Sequence, residues 1–169
     1  GFNVNIGWAN GGVGDAEYLH AFETLIMPIA RAYDPELVII SAGFDAAMGD
    51  PLGGCCVTPV GYSQMTAQLK SLAHGRVVLV LEGGYNLQSL SRSVEACVRV
   101  LLGEDPLPLP EHEDQRERHI LPFARQGIMQ TAAAHLGFWP VLRKVWGSSL
   151  DHMAVSLTSP VPSLSSTDF

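Results

Sequence analysis

The residues best suited to chemistry lie in two loops, each of which follows a short apolar segment. The first loop, SAGFDAAMGDPLGG at 41–54, carries Asp45, and the second, within LEGGYN at 81–86, carries Tyr85. An aspartate oxygen is an ordinary zinc ligand, and a tyrosine hydroxyl can donate a hydrogen bond to a developing oxyanion. These residue types are therefore compatible with binding a divalent metal and with stabilising a developing oxyanion.

Both residues also have a structural explanation, which spacing alone favours. An aspartate at a loop tip often accepts hydrogen bonds from the backbone of its own turn, so Asp45 could simply stabilise the loop. Tyr85 follows Gly83-Gly84, whose permissive backbone could aim the phenol into a pocket, but it could equally pack beneath a turn. Asp50 precedes a proline and is expected to be a turn former.

No other group of residues has a recognisable catalytic spacing. The six histidines include no His-x-His or His-Glu-x-x-His pair, and LEGGYN lacks both nucleotide-binding fingerprints. The three cysteines, with Cys55 and Cys56 adjacent, do not suggest a disulfide framework. Reduced thiols in an intracellular protein are the expectation, with Cys97 in the core.

The elements around the two loops alternate between strand and helix. The all-apolar runs at 37–40 and 77–81 are typical of strands buried on both faces of a parallel sheet, and FNVNIGW at 2–8 has the alternation of a short strand. Helices are predicted over 15–33, capped by Asp15 and interrupted near Pro28, over 58–74 with Thr58 as N-cap, and over 87–102. The pattern predicts an α/β fold with a parallel sheet flanked by helices. Loops at the carboxyl ends of neighbouring strands would then meet at one rim.

The chain is predicted to divide into four segments. The α/β region covers 1–103, a connector rich in proline and charge covers 104–119, an apolar helical extension covers 120–147, and a flexible tail rich in Ser, Thr and Pro covers 148–169. The chain starts at Gly1 on a strand-like segment without a methionine. We therefore expect an upstream segment to be missing.

Composition restricts the class of partner. With 47% hydrophobic and 16% charged residues in 169, the composition is globular. A net charge of −7 argues against direct nucleic-acid binding, and no apolar run reaches the roughly 20 residues that span a bilayer. Neither nucleic acid nor membrane is therefore expected as a partner.

The two loop motifs together resemble the zinc-dependent histone deacetylase family, which has the arginase/deacetylase fold. The resemblance runs from Gly1 to about Gly103, and GDPLGGC at 49–55 is most similar to the class IIb branch. It implies a Zn²⁺ cofactor and hydrolysis of N6-acetyl-lysine in histones, tubulin or chaperones. It also implies a cytoplasmic location, with the nucleus as a second possibility.

The resemblance implies a role for each matching residue. Asp45 matches the second Asp of an Asp/His/Asp zinc site, and Tyr85 matches the Tyr that polarises the acetyl carbonyl. Gly83 and Gly84 match glycines that shape the acyl-lysine channel. Leu52 matches a wall residue at the channel mouth, where an apolar side chain implies a protein acetyl-lysine rather than a polyamine.

The sequence departs from the family pattern in one large respect. The tandem His-His base and the Asp-x-His pair of zinc ligands are absent, and a catalytic zinc needs three protein ligands. The chain is therefore expected to be the C-terminal half of a deacetylase domain, inactive without the remaining half as its partner. The alternative is a truncated, non-catalytic interaction module that keeps the deacetylase fold.

Overall fold

The computed structural model describes residues 1–109 and 120–150. Residues 151–169 of the predicted tail and 110–119 of the predicted connector lie outside the described residues. The helices are α1 (Asp15–Ala21), α2 (Met27–Tyr33), α3 (Pro59–Lys70), α4 (Leu87–Leu101), α5 (Pro122–His135) and α6 (Val141–Trp146), and the strands are β1 (Val38–Ala42) and β2 (Val77–Leu81). Within these residues, none of the helices combines the length and apolarity needed to cross a membrane.

The predicted helix over 15–33 is present, and its predicted interruption takes the form of a π-helix. Residues Phe22–Ile26 form this wider turn between α1 and α2, and the Met27 N–H donates to the Phe22 carbonyl, five residues back. Pro28, which has no N–H to donate, follows directly. The wider turn thus accommodates the proline without ending the helix.

The prediction that Asp15 caps its own helix is wrong. The N-cap of α1 is Gly14, and Asp15 is the first helical residue. Its carboxylate instead accepts hydrogen bonds from the Thr58 N–H (2.8 Å) and the Thr58 hydroxyl (2.5 Å). Asp15 therefore joins the start of α1 to the start of α3, whose predicted N-cap, Thr58, is confirmed.

The sheet in the described part of the chain has two parallel strands, with Val38 opposite Val77 and Ala42 opposite Leu81. Segment 2–8, predicted as a strand, does not pair with either of them. Its neighbours are instead side chains near the other end of the chain: the Thr131 hydroxyl donates to the Asn5 carbonyl and the Trp139 indole donates to the Gly1 carbonyl. Without a neighbouring strand among the described residues, its alternating pattern forms no ladder.

The two strands are buried on one face only, so the prediction of burial on both faces is wrong for the described residues. Ile40 and Leu79 pack with side chains of α1, α3 and α4, including Leu19, Tyr62 and Cys97. On the opposite face Ile39 is 66% exposed, and Val78 and Val80 are also exposed. The runs are apolar on both faces, but the described elements cover only one.

A second apolar core joins the helix over 15–33 to residues 120–150. It contains nine buried residues: Ala21, Leu25, Ile29, Ile128, Ala132, Ala133, Leu136, Leu142 and Leu150. The buried carboxylate of Glu17 supports this junction, because it accepts hydrogen bonds from the Gly14 and Leu121 N–H groups at 2.8 and 2.9 Å. The C-terminal helices are thus packed on the same helix that borders the sheet.

Candidate active site

Parallel pairing of β1 and β2 brings the two predicted site loops together. The Phe44 N–H donates to the Gly83 carbonyl at 2.9 Å, just beyond the strand ends. The prediction that the loops share one rim of the sheet is confirmed. Asp45 follows Phe44 directly, so its position depends on this contact.

The carboxylate of Asp45 lies in a space left by two glycines. A Cβ atom added to Gly83 would lie 2.6 Å from Oδ2 of Asp45, and one added to Gly43 would lie 2.9 Å from Oδ1. Both distances are shorter than ordinary van der Waals contact. Gly83, predicted to shape a substrate channel, therefore also makes room for the predicted metal ligand.

The charge of Asp45 contributes to the raised pKa values of three side chains. Burial raises the pKa of Tyr18, against the effect of its hydrogen bond with Trp8, and the charges of Cys55 and Asp45 raise it further. Burial is also the main cause of the raised pKa of Cys55 and of Tyr62, and the Asp45 charge adds to both. None of the three is therefore an anion near neutral pH. Sequence reasoning missed these neighbours, since their separation along the chain gives no signal.

Tyr85 is fixed by its backbone and not by its ring. The residue is 59% exposed, while the Tyr85 N–H donates to Oδ2 of Asp50 at 2.7 Å. The preceding Gly84 has φ +136°, and an added Cβ would lie 3.0 Å from the Phe44 Cβ. Both observations require glycine at this position.

Leu52 is bound to the same carboxylate. Its N–H and that of Gly53 donate to Oδ1 of Asp50 at 2.8 and 3.1 Å, and its side chain is 70% exposed. Asp50 therefore forms the predicted turn, but it also bridges to Tyr85 in the second loop. The sequence indicated only the first of these roles.

The described residues do not by themselves make a zinc site. No group of three or more His, Cys, Asp or Glu in 1–109 and 120–150 is arranged to hold a metal ion. Asp45 offers one ligand, fewer than a catalytic zinc requires. The assignments of Asp45, Tyr85, Gly83, Gly84 and Leu52 to metal, catalysis and substrate stay predictions.

Comparison with known proteins identifies the class to which this fold and these loops belong. The profile of the Histone deacetylase domain matches residues 1–101, and the chain therefore belongs to the histone deacetylase domain family. A crystal structure of the HDA15 HD domain is similar with a TM-score of 0.75 and 45% identity, over 86% of this chain and 38% of that chain. The arginase/deacetylase-like fold is thereby confirmed.

Particular relatives include proteins from a plant and a yeast. Histone deacetylase 18 of Arabidopsis thaliana is 46% identical over 142 residues, covering 84% of this chain and 20% of the plant protein. Histone deacetylase HDA1 of Saccharomyces cerevisiae is 58% identical over 111 residues, covering 66% of this chain and 16% of the yeast protein. The chain thus spans about a fifth of the length of these relatives.

Proposed function

We propose that this chain forms part of the active site of a zinc-dependent protein lysine deacetylase, which hydrolyses N6-acetyl-lysine. The observation that carries the proposal is the junction of the two loops, where the Asp45 carboxylate lies between Gly43 and Gly83. This junction falls within the segment that matches the deacetylase family.

Asp45 and Tyr85 have separate roles in this proposal. Asp45 is one ligand of Zn²⁺, and the other ligands come from the remaining half of the deacetylase domain. Tyr85 donates a hydrogen bond from its hydroxyl to the oxyanion that develops from the acetyl carbonyl. Its ring is exposed on the described surface, so a substrate can approach the hydroxyl.

Gly83, Gly84 and Leu52 form part of the channel for the acetyl-lysine side chain. An exposed leucine at the loop suits the aliphatic stem of a lysine, and it offers no charge to attract a polyamine. The GDPLGGC motif at 49–55 supports a class IIb enzyme similar to the second catalytic domain of histone deacetylase 6. Acetylated tubulin, histones or chaperones are the corresponding substrates, with the cytoplasm as the main location and the nucleus as a second one.

The remaining half of the domain is the proposed partner of this chain. Ile39, Val78 and Val80 leave one face of the sheet uncovered. An apolar groove of about 880 Å³ also lies between segment 2–8 and the helix over 15–33. Exposed apolar surfaces of this kind mark interfaces. With one zinc ligand and no His-His base, the chain alone is inactive.

The same exposed surfaces favour a second candidate, a non-catalytic interaction module with the deacetylase fold. The two candidates predict different results when the remaining half is supplied. A deacetylase gains bound zinc and activity, whereas an interaction module binds its partner without either.

The test uses the complete deacetylase domain that carries this sequence. Tyr85→Phe is expected to lower hydrolysis of an acetyl-lysine peptide by about a hundredfold to a thousandfold with zinc retained, because only the hydroxyl that stabilises the oxyanion is lost. Asp45→Ala is expected to lose zinc as well, measured by metal analysis of the purified protein. Glu95→Gln is the control, since Glu95 lies in an exposed ion pair with Arg99 outside both loops. Full activity of either Tyr85→Phe or Asp45→Ala would refute the assignment.

A further inference from the structure

The carboxylate of Asp50 is the shared acceptor of both site loops. Its Oδ1 accepts the Leu52 and Gly53 N–H groups at 2.8 and 3.1 Å, and its Oδ2 accepts the Tyr85 N–H at 2.7 Å. Hydrogen bonds from N–H groups to a carboxylate are stronger than those between neutral groups. One side chain thus ties its own loop to the backbone of a residue 35 positions further along the chain.

Two further hydrogen bonds hold the same loop against the start of α4. The Asn86 amide donates to the Gly49 carbonyl at 2.8 Å, and the Ser89 hydroxyl donates to the Met48 carbonyl at 2.7 Å. On the other side of Tyr85, the Gly83 carbonyl is bonded to Phe44. The backbone of Tyr85 is therefore held on both sides, and Asp50 is the residue that bonds to Tyr85 itself.

Packing contributes little to the position of the Tyr85 side chain, because more than half of the residue's surface is exposed. No described residue forms a hydrogen bond with its hydroxyl. The position of the phenol therefore follows from the position of the backbone. Only the Cα and the side-chain torsions separate the Tyr85 N–H from the phenol. A hydrogen bond that fixes this N–H therefore also restricts where the phenol can lie.

We propose that Asp50 is a positioning residue, whose carboxylate sets the place of Tyr85 relative to Asp45 and thus the reach of the phenol to the reacting carbonyl. This inference rests on the proposed function of Tyr85. Both carboxylate oxygens are needed, because Oδ1 accepts from the first loop and Oδ2 from the second. An asparagine keeps the size of the side chain but turns an NH₂ group toward one set of donors.

The first test measures kinetics in the complete domain with an acetyl-lysine peptide. Asp50→Asn is expected to lower kcat by roughly tenfold to a hundredfold, since misplacing a reacting group by about 1 Å costs that much. Zinc content is expected to stay unchanged, and KM is expected to change less than kcat, because the carboxylate also holds the Leu52 N–H at the channel. Glu95→Gln, which removes one negative charge from a surface ion pair with Arg99, is the matched control and should keep the wild-type kcat.

A double variant separates positioning from a general structural role. If Asp50 acts through the Tyr85 hydroxyl, Asp50→Asn in a Tyr85→Phe background should cause no further loss of residual activity. Losses that multiply, or a wild-type kcat in Asp50→Asn, would overturn the proposal. A lowered thermal midpoint alone would not support it.

The second test does not depend on activity. Hydrogen exchange of the Tyr85 amide, followed in a peptide covering 82–89, should be about tenfold or more faster in Asp50→Asn than in wild type or Glu95→Gln. Unchanged exchange would overturn the proposal. If Asp50→Asn does not fold, Asp50→Glu takes its place with the same criteria, because it displaces both oxygens by one methylene.

The two tests also separate this inference from the proposed function. A wild-type domain that does not hydrolyse the peptide would refute the proposed function and the catalytic meaning of Asp50. Hydrogen exchange of the Tyr85 amide would still show whether Asp50 restrains the Tyr85 backbone. An active wild-type domain with an unaffected Asp50→Asn variant would refute only the positioning role.

Discussion

At the scale of single residues, the glycines of the two loops are defined by what lies opposite them. Gly83 faces a carboxylate oxygen, whereas Gly84 combines a positive φ with close contact to Phe44. The first glycine is required for steric reasons and the second also for backbone conformation. Substitutions at the two sites therefore test different properties.

Gly83→Ala is expected to displace the Asp45 carboxylate, because the new methyl group would lie 2.6 Å from Oδ2. Overpacking of this kind costs about 1–3 kcal/mol of stability. In the complete domain the variant should also bind zinc more weakly, as measured by competition with a chelator. Gly137→Ala is the control, since nothing lies within 4 Å of its added Cβ. Equal zinc affinity in the two variants would contradict this account.

The carboxylate of Asp50 should make stability sensitive to acid. Burial alone would raise its pKa, but hydrogen bonds from the amides of Tyr85, Leu52, Gly53 and Asn86 outweigh it and hold the pKa below the ordinary value of 3.8. Since the folded pKa is the lower one, the stabilisation is complete above the unfolded pKa. It is lost as the pH falls from about 4 through the folded pKa.

Urea unfolding at a series of pH values between about 6 and 3 checks this expectation. The stability difference between wild type and Asp50→Asn should shrink toward the acid end. Protonated Asp50 no longer carries the negative charge that strengthens its hydrogen bonds from the backbone N–H groups. Carboxylates common to both proteins cancel in the comparison. A difference that stays constant over the whole range would show that the Asp50 charge does not stabilise the loops.

At the scale of elements, helix ends explain how the loops are anchored. Asn86 caps α4 by accepting the Gln88 and Ser89 N–H groups, and it follows Tyr85 directly. Thr58 caps α3 at the end of the first loop. Each predicted site loop thus runs from the end of a strand to a capped helix, which limits its freedom at both ends.

Asp15→Ala is expected to destabilise the chain by about 1.5–3 kcal/mol, the usual contribution of a hydrogen bond to a charged group. The variant removes both acceptors for Thr58 and leaves the start of α3 without its partner on α1. Urea unfolding followed by circular dichroism measures the change. Asp105→Ala, at an exposed position, should stay within about 0.5 kcal/mol of wild type. A similar small effect for Asp15→Ala would show that the contact between the helices contributes little.

Helix boundaries could be predicted from the sequence where a local signal sets them. Thr58-Pro59 begins α3, as predicted, and α4 ends at Leu101, one residue before the predicted bound of 102. The link from Asp50 to Tyr85 could not be predicted, because the register of β1 against β2 brings the two residues together. The same holds for Asp15 and Thr58, whose hydrogen bonds join helices that are distant in sequence.

At the scale of the whole molecule, the two strands are apolar on both faces, but the described residues cover only one face of the sheet. The runs at 37–40 and 77–81 have the composition of strands buried on both faces, yet only the face carrying Ile40 and Leu79 is packed. The prediction was correct about the sheet and wrong about its surroundings. The composition of the runs predicts burial on both faces, whereas the described residues cover only one.

Substitutions on opposite faces of β1 test whether the remaining half of the domain covers the open face. In the chain alone, Ile39→Thr should change stability by less than about 0.5 kcal/mol, because the side chain is already 66% exposed. In the complete domain the same change should cost about 1–3 kcal/mol, since a hydroxyl would replace buried apolar surface.

Ile40→Thr is the control for this comparison, because Ile40 packs on the covered face in the chain itself. It should destabilise the chain alone and the complete domain by a similar amount. Urea unfolding measures the loss of stability for each variant in the chain alone and in the complete domain. Only the loss for Ile39→Thr should differ between the two proteins. If Ile39→Thr is equally harmless in the complete domain, the open face stays exposed there and the proposed covering partner is wrong.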